Sequence, residues 1–332
     1  MTTAVYRAAD GSLDERWREV AHRWRSHAEH ARVPAVKQEE TVQLGRGDAV
    51  WLSVWACGLD AVLTLMHCDT SHCTNVALYS DWVAIVAPTE LKDTVRVNGW
   101  EADCTALYLA ASPNGYSAAG GGRAGLVLGL RRTRLAEACA ALAGIDREDV
   151  EIRDLVVSLG RKGAEGLHAM LWAAIADSLQ RPICAGRHAL SHFWEEAVFA
   201  RLAEILAPLL QTRQPGGIPC VNALHIVRAA EQACTDLARP PTMPELCAAA
   251  GVGERWLRKC FIEVRGAPPA QYLLKRRLSA AHDRFLDPVA ETPSVKDVAL
   301  SLGFVESGRF SQYYTSLFGE NPRDTLLRSQ EG

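Results

Sequence analysis

Arg255, Arg258 and Lys259 recur at i, i+3 and i+4 on a stretch whose other side carries Leu257 and Phe261. In a helix that spacing puts three cations on one face and an apolar pair on the opposite one. Guanidinium forks so placed read guanine edges or clamp phosphates, and an ammonium holds a phosphate as a point charge. Further on, Arg309 and Gln312 stand one turn apart beside Phe310 and Tyr314, a smaller and less basic set. Between the two stretches, Lys275, Arg276 and Arg277 add charge. Lys275 is assigned to phosphate, with a solvated face or an internal ion pair the alternative for at least one of the three. The chemistry these side chains offer is nucleic-acid recognition. No nucleophile elbow, ordered metal motif or cysteine with a partner pattern accompanies them, so no enzyme, catalytic residue, bound metal or cofactor is expected.

The elements that position these residues form a degenerate repeat. Leu246, Cys247, Ala250, Gly251 and Val252 correspond in identical spacing to Val298, Ala299, Leu302, Gly303 and Phe304. The correspondence continues through Leu257, Phe261, Gly266 and Pro269 against Phe310, Tyr314, Gly319 and Pro322, with one residue inserted in the second copy. Each copy reads as a short helix, a glycine able to take a left-handed C-cap, and a second helix anchored by an apolar pair four apart. Small Cys247 and Ala299 let the second helix cross close to the first. Pro268-Pro269 opens a linking helix through Tyr272, Leu273, Leu278, Ala281 and Phe285 that ends near Asp287-Pro288 and sets the separation of the two motifs.

The run Val298-Ala299-Leu300-Ser301-Leu302-Gly303-Phe304, then Phe310-Ser311 and Phe318-Gly319-Glu320-Asn321-Pro322, together with Arg277-Leu278, Ala281 and Leu286, resembles the AraC/XylS family of bacterial transcription regulators over about 105 residues. The sequence departs from the family pattern at Gln312 and Thr315, where a basic residue is frequent, and at Thr325-Leu326, which replaces the usual Tyr-Arg. The resemblance implies two recognition helices entering successive major-groove segments on one DNA face. It also implies an N-terminal β-barrel-like pocket for a small effector, to which no ligand-binding residue can be transferred.

The rest of the chain fits an α+β protein. Thr212-Arg213-Gln214-Pro215-Gly216-Gly217-Ile218-Pro219 packs proline and glycine between helical patterns and marks a linker at 212–220. It divides an effector-sensing and dimerisation domain (1–211) from an all-α double helix-turn-helix domain (221–332) whose apolar anchors lie within itself. Strand signals such as Val50 to Trp55 and Trp82 to Val86, with Asn98-Gly99 as a hairpin turn, make residues from about 45 to 130 sheet-rich. From 131 to 211 the pattern is helical, and Leu190, Trp194, Val198, Leu202, Ile205 and Leu209 form one apolar stripe that serves as domain core or as a dimer seam. His22, His27 and His30 are placed on a charged helix.

Trp51, Trp55, Trp82 and Trp100 are assigned mainly to core packing, with lining of an effector cavity as the alternative. The one cluster of metal-type ligands, His67, Cys68, His72 and Cys73, could bind zinc or sense thiol oxidation, but its spacing matches no ordinary zinc motif. The chain has 332 residues, a formal net charge of -3 and ten scattered cysteines, which suits reduced thiols in a cytoplasm and requires any DNA affinity to come from a local basic surface. No apolar stretch suits a membrane span or a signal peptide. The expected protein is a cytoplasmic, homodimeric, effector-responsive transcription activator, with promoter DNA, a small-molecule effector and RNA polymerase as partners. The competing expectation is a DNA-binding protein with an enzymatic or thiol- or metal-sensing N-terminal domain.

Overall fold

The computed structural model describes residues 22–24, 34–47, 49, 51–112, 114–181, 188–210, 219–286 and 294–330. Most of the expected linker lies outside them, as do His27 and His30, whereas His22 belongs to a strand rather than a helix. One sheet runs in the order β1 (His22–Trp24), β3 (Trp51–Cys57), β4 (Ala61–Cys68), β11 (Arg123–Arg131), β6 (Trp82–Leu91), β9 (Ala106–Ala110), β12 (Leu155–Ser158), with β13 (His188–Ala189) parallel to β3. A second sheet runs β2 (Val36–Gln43), β5 (His72–Leu78), β10 (Tyr116–Gly120), β7 (Val95–Val97), β8 (Trp100–Glu101). The β7–β8 turn is the expected Asn98-Gly99, with φ of 53° and 90° at its two residues, which is why asparagine and glycine stand there.

Side chains alternate between the faces of each strand, and here nearly every face is covered. On the first sheet Leu63, Ile85 and Leu128 point to one side, onto helices α1 (Arg132–Ala143), α2 (Gly160–Leu179) and α3 (His192–Leu210). Their neighbours Val62, Ala84, Val86 and Val127 point to the other, where they meet Val76, Leu78, Tyr116 and Ala118 of the second sheet. Trp55, Trp82 and Trp100 belong to this inter-sheet core. The remaining face of the second sheet, with Val42, Cys73 and Ala119, packs on the C-terminal helices.

The apolar stripe of α3 resolves as core. Leu190, Val198 and Leu202 are buried against the first sheet, Trp194 and Ile205 pack at its margin, and Leu209 alone of the stripe is 37% exposed. Glu195 also turns inward: its Oε1 accepts from the backbone N–H groups of Asp60 (2.6 Å) and Ala61 (2.8 Å), pinning α3 to the β3–β4 turn. A Cβ on Gly58 would clash with the Glu195 carboxylate, so a larger residue there would push Glu195 off these donors.

In the C-terminal region, α4 (Pro219–Glu231), α5 (Met243–Ala250), α6 (Glu254–Arg265) and the first half of α7 (Pro269–Leu286) share one core. The second half of α7 shares another with α8 (Val295–Ser301), α9 (Ser307–Phe318) and α10 (Pro322–Gln330). The repeat is thus two helix-turn-helix units joined by one continuous helix. Its glycines are left-handed at both turns, Gly251 (φ 66°) and Gly303 (φ 73°), and at the ends of both second helices, Gly266 (φ 71°) and Gly319 (φ 78°). The first core is not self-contained, since Val42, Cys73 and Ala119 of the sheet complete it.

His168 on α2 is 1% exposed, and its Nδ1 has no hydrogen-bond partner among the described residues. Burial disfavours the charged ring and pushes its pKa from 6.5 down to about 4. Between those values the unfolded chain holds the proton that the folded chain has released, so stability falls as the pH drops from 6.5 towards 4. His168→Leu should remove this loss, which is on the order of 3 kcal/mol at the low end of the window. Urea unfolding of both proteins at pH 7 and pH 4.5 checks it; an equal drop in stability for both contradicts the assignment.

Candidate nucleic-acid interface

Each first helix of the two motifs is started by a side-chain cap. Thr242 and Glu245 form a reciprocal capping box at α5, and Ser294 Oγ accepts from Asp297 N (3.1 Å) at α8. Each then turns at its left-handed glycine into a second helix, α6 or α9, whose apolar face is fixed by Leu257 and Phe261 or by Phe310 and Tyr314. With those faces buried, the opposite faces are left to solvent.

On α6, Arg255, Arg258 and Lys259 are exposed together, as the spacing requires. They are not equally available. Arg258 donates to Glu254 Oε1 through Nε (2.9 Å) and a terminal nitrogen (2.6 Å), and Lys259 Nζ lies 3.8 Å from Glu263 and 5.0 Å from the centre of the Trp256 ring. Trp256 itself is 47% exposed on the same surface. On α9, Arg309 and Gln312 are both exposed, and Arg309 Nε donates to the Tyr313 hydroxyl (3.2 Å).

Lys275 is placed elsewhere. It is half-buried under the second sheet, where Nζ donates to the Leu44 carbonyl oxygen, and burial with the nearby Arg46 charge pushes its pKa down. Its neighbours are spent in the same way: Arg276 Nε donates to Glu40 Oε1 (2.5 Å), and Arg277 Nε donates to Leu302 O (2.8 Å) with its guanidinium 4.0 Å over the Phe304 ring. The internal ion pair is thus found at Arg276, while Lys275 and Arg277 are held by backbone carbonyl oxygens.

The sequence did not single out Arg265, the last residue of α6. Its side chain is 3% exposed and donates to Glu231 Oε1 (2.7 Å), Glu231 Oε2 (2.6 Å) and Ser117 Oγ of β10 (2.6 Å). Burial alone would lower its pKa; the Glu231 carboxylate more than offsets this and raises it. At the far end of α9, Leu317 O accepts from Gly47 N (2.9 Å) and Gln43 Nε2 (3.3 Å). Both second helices thus have their C-terminal turns held by the second sheet and its β2 end.

The thiols of the metal-type cluster, Cys68 and Cys73, are buried, which pushes both up, Cys68 to about 12. His72 Nδ1 lies 2.8 Å from Thr70 O and the ring meets Trp51 edge-on at 4.3 Å, and no group of three or more metal-type ligands is assembled among the described residues.

A helix-turn-helix domain family matches residues 246–328, which spans the first motif from the fourth residue of its first helix onward and all of the second. The XylDLEGF operon transcriptional activator 1 of Pseudomonas putida is 38% identical over 93 residues, covering 28% of this chain and 28% of that protein. The XylDLEGF operon transcriptional activator 2 of the same organism is 32% identical over 110 residues, covering 33% of this chain and 67% of the relative. The chain belongs to the AraC/XylS family. A crystal structure of a probable AraC family transcriptional regulator from Rhodopseudomonas palustris is similar at 34% identity, covering 31% of this chain and 96% of that one, with a TM-score of 0.29. This AraC/XylS chain spans 28% to 41% of the length of the first three curated relatives it matches. No helix among the described residues is long and apolar enough to cross a membrane.

If Arg258 reads a base edge, it must first leave Glu254. Arg258→Ala should then weaken binding to a selected duplex by about 1 to 3 kcal/mol and relax preference at one base position. Glu254→Gln, which frees the guanidinium and removes a repelling charge, should tighten binding a few-fold. Lys275→Ala should leave the salt dependence unchanged, because its ammonium is already committed to Leu44. Titrations of the three variants at several salt concentrations, on DNA selected by the wild-type chain, would decide; a slope lowered by about one in Lys275→Ala returns that residue to the phosphate contacts.

Proposed function

We propose that this protein is a transcription activator that reads promoter DNA with α6 and α9 and answers to a small molecule bound between its two sheets. The supporting observation is that the second sheet covers the C-terminal turns of both recognition helices with one of its faces while the other lines the inter-sheet space. Arg255, Arg258 and Lys259 carry most of the sequence preference, with Arg309 and Gln312 the weaker set. RNA polymerase recruitment and a cytoplasmic location belong to the same reading.

Two adjoining cavities of about 30 Å³ lie between the sheets, both lined by Met66, Tyr116 and Val127. Each holds about one water, so an effector must part the sheets to enter. Arg123 lines the second cavity. It is 8% exposed, and its guanidinium donates to carbonyl oxygens of Ala118 (2.9 Å), His72 and Gly121 (both 3.4 Å), with no ion pair to a carboxylate among the described residues. Burial pushes its pKa down to about 10. A buried cation without a counter-ion is costly, and an acidic effector would supply one.

A thermal-shift series of small carboxylic acids against their amides tests this, because a ligand of the native state raises stability. Acids should raise the melting temperature of the wild type and of Arg123→Lys, and not of Arg123→Gln; amides that work equally well exclude the charge pairing. Selection of duplexes from random DNA by the full chain tests the DNA reading, which fails if no sequence is enriched.

Homodimerisation rests on the need of paired half-sites for paired readers rather than on the α3 stripe, which is spent in the core. Sedimentation of the full chain should give a dimer at tens of micromolar, and a strict monomer removes the claim.

A further inference from the structure

Beside α6 lies an open groove whose near wall is formed by Glu254, Arg255, Arg258, Lys259, Ile262 and Glu263, and whose far wall is Arg96 of β7. Arg96 does not belong to the C-terminal region. It is paired across the sheet with Ala119 on β10 and Glu101 on β8, and so lies on the face that carries Ala119 into the joint core with the helices. Val95 and Val97, on either side of it, point the other way and are buried, and the Asn98-Gly99 turn holds the hairpin. The backbone of Arg96 is therefore fixed while its half-exposed side chain looks along the recognition helix.

The charges in this groove do not cancel. Glu254 is taken by Arg258 and Glu263 by Lys259, whereas Arg96 and Arg255 form no ion pair among the described residues. Two cations without a direct ion pair line the two walls of a space open to solvent, with Glu101 opposite Arg96 on the neighbouring strand. A recognition helix, about 10 to 12 Å across, fills a major groove about 12 Å wide, so sugar-phosphate backbones run along its flanks. A cation fixed beside the helix, rather than on it, meets phosphate and not a base edge.

We propose that Arg96 is a DNA-backbone contact supplied by the N-terminal region, so that the sheet domain forms part of the nucleic-acid interface and does more than sense an effector. The proposal rests on α6 being the DNA reader, and it names the phosphate strand beside it as the partner of Arg96. The contact carries no sequence information. It adds affinity and register, and it exists only while the β7–β8 hairpin keeps its place against α6.

The test uses the full chain with a duplex it has selected and an unrelated duplex of equal length, titrated between about 50 and 200 mM salt. Arg96→Gln should lower the slope of log affinity against log salt by about one on both duplexes, weaken both alike, and leave base preference unchanged. Arg96→Lys should restore the slope, which separates lost charge from altered packing. An Arg96→Gln protein that binds with the wild-type slope overturns the contact, as does an Arg96→Lys protein as defective as Arg96→Gln. A change in base preference without a change in slope also overturns it, by making Arg96 a base reader. A wild-type chain that selects no DNA removes the underlying reading of α6 as well, whereas loss of binding in Arg255→Ala and Arg258→Ala with an unaffected Arg96→Gln removes this proposal alone.

Discussion

The buried pair between Arg265 and Glu231 is the constraint on which the arrangement turns. A guanidinium taken out of water is tolerable only with its donors satisfied, and here a carboxylate takes two of them and Ser117 Oγ takes another. Its three anchors lie on α4, α6 and β10, so one side chain joins the first helix of the C-terminal region, the end of the first recognition helix and the middle of the second sheet. Such a pair is weak evidence of net stability, because two charges were desolvated to make it. What it provides is direction. An apolar contact between small residues such as Ala119 and the helices would tolerate sliding, whereas a bidentate fork tolerates little.

The second motif is positioned from the same sheet by different means. Gln43 N donates to Ser279 Oγ on α7 (3.1 Å), its side chain reaches Leu317 O, and Asn75 Nδ2 donates to the Tyr272 hydroxyl (2.8 Å). Since α7 runs through the cores of both motifs, every one of these bonds bears on the spacing of the two recognition helices. DNA read by two helices from one face is sensitive to that spacing, because the major groove returns to the same face only once per helical turn. The sheet is thus a second ruler laid beside α7.

Local chemistry made the repeat legible in the sequence. Glycine at a left-handed turn, an apolar pair four apart and a small residue at a helix crossing are each a constraint within a dozen residues, and Gly251, Gly303, Leu257, Phe261, Cys247 and Ala299 all fill the roles their spacing assigns. The Asn98-Gly99 hairpin was legible for the same reason. The sheets were harder, because strands buried on both faces, such as Trp82–Leu91, lose the alternation of apolar and polar residues that marks a one-sided strand. The α3 stripe left core and dimer seam open because both use one period; only the neighbouring sheet decides it. In the basic run Lys275-Arg276-Arg277 only Lys275 was assigned to phosphate, and which of the three would turn inward stayed open for want of any local sign of Leu44, Glu40 and Leu302. Arg265 gave no signal, since Glu231 and Ser117 lie more than thirty residues away along the chain, and neither did Arg96, which meets α6 only through the fold.

Strand β10 is where the two halves of the proposed function meet. Tyr116 and Ala118 face the inter-sheet space, while Ser117 and Ala119, the residues between and after them, face the C-terminal helices. Arg123 donates to the carbonyl oxygen of Ala118, so the group that would meet an acidic effector already grips this strand. A strand paired with β5 along its whole length and with β7 from Ala118 to Gly120 does not bend residue by residue. A shift imposed on Tyr116 or Ala118 from within must therefore be carried to Ser117, and from Ser117 to Arg265 at the end of α6. Coupling between the two faces then needs no path through the protein longer than the thickness of one sheet, and its size is set by how differently an effector binds the two positions of that strand.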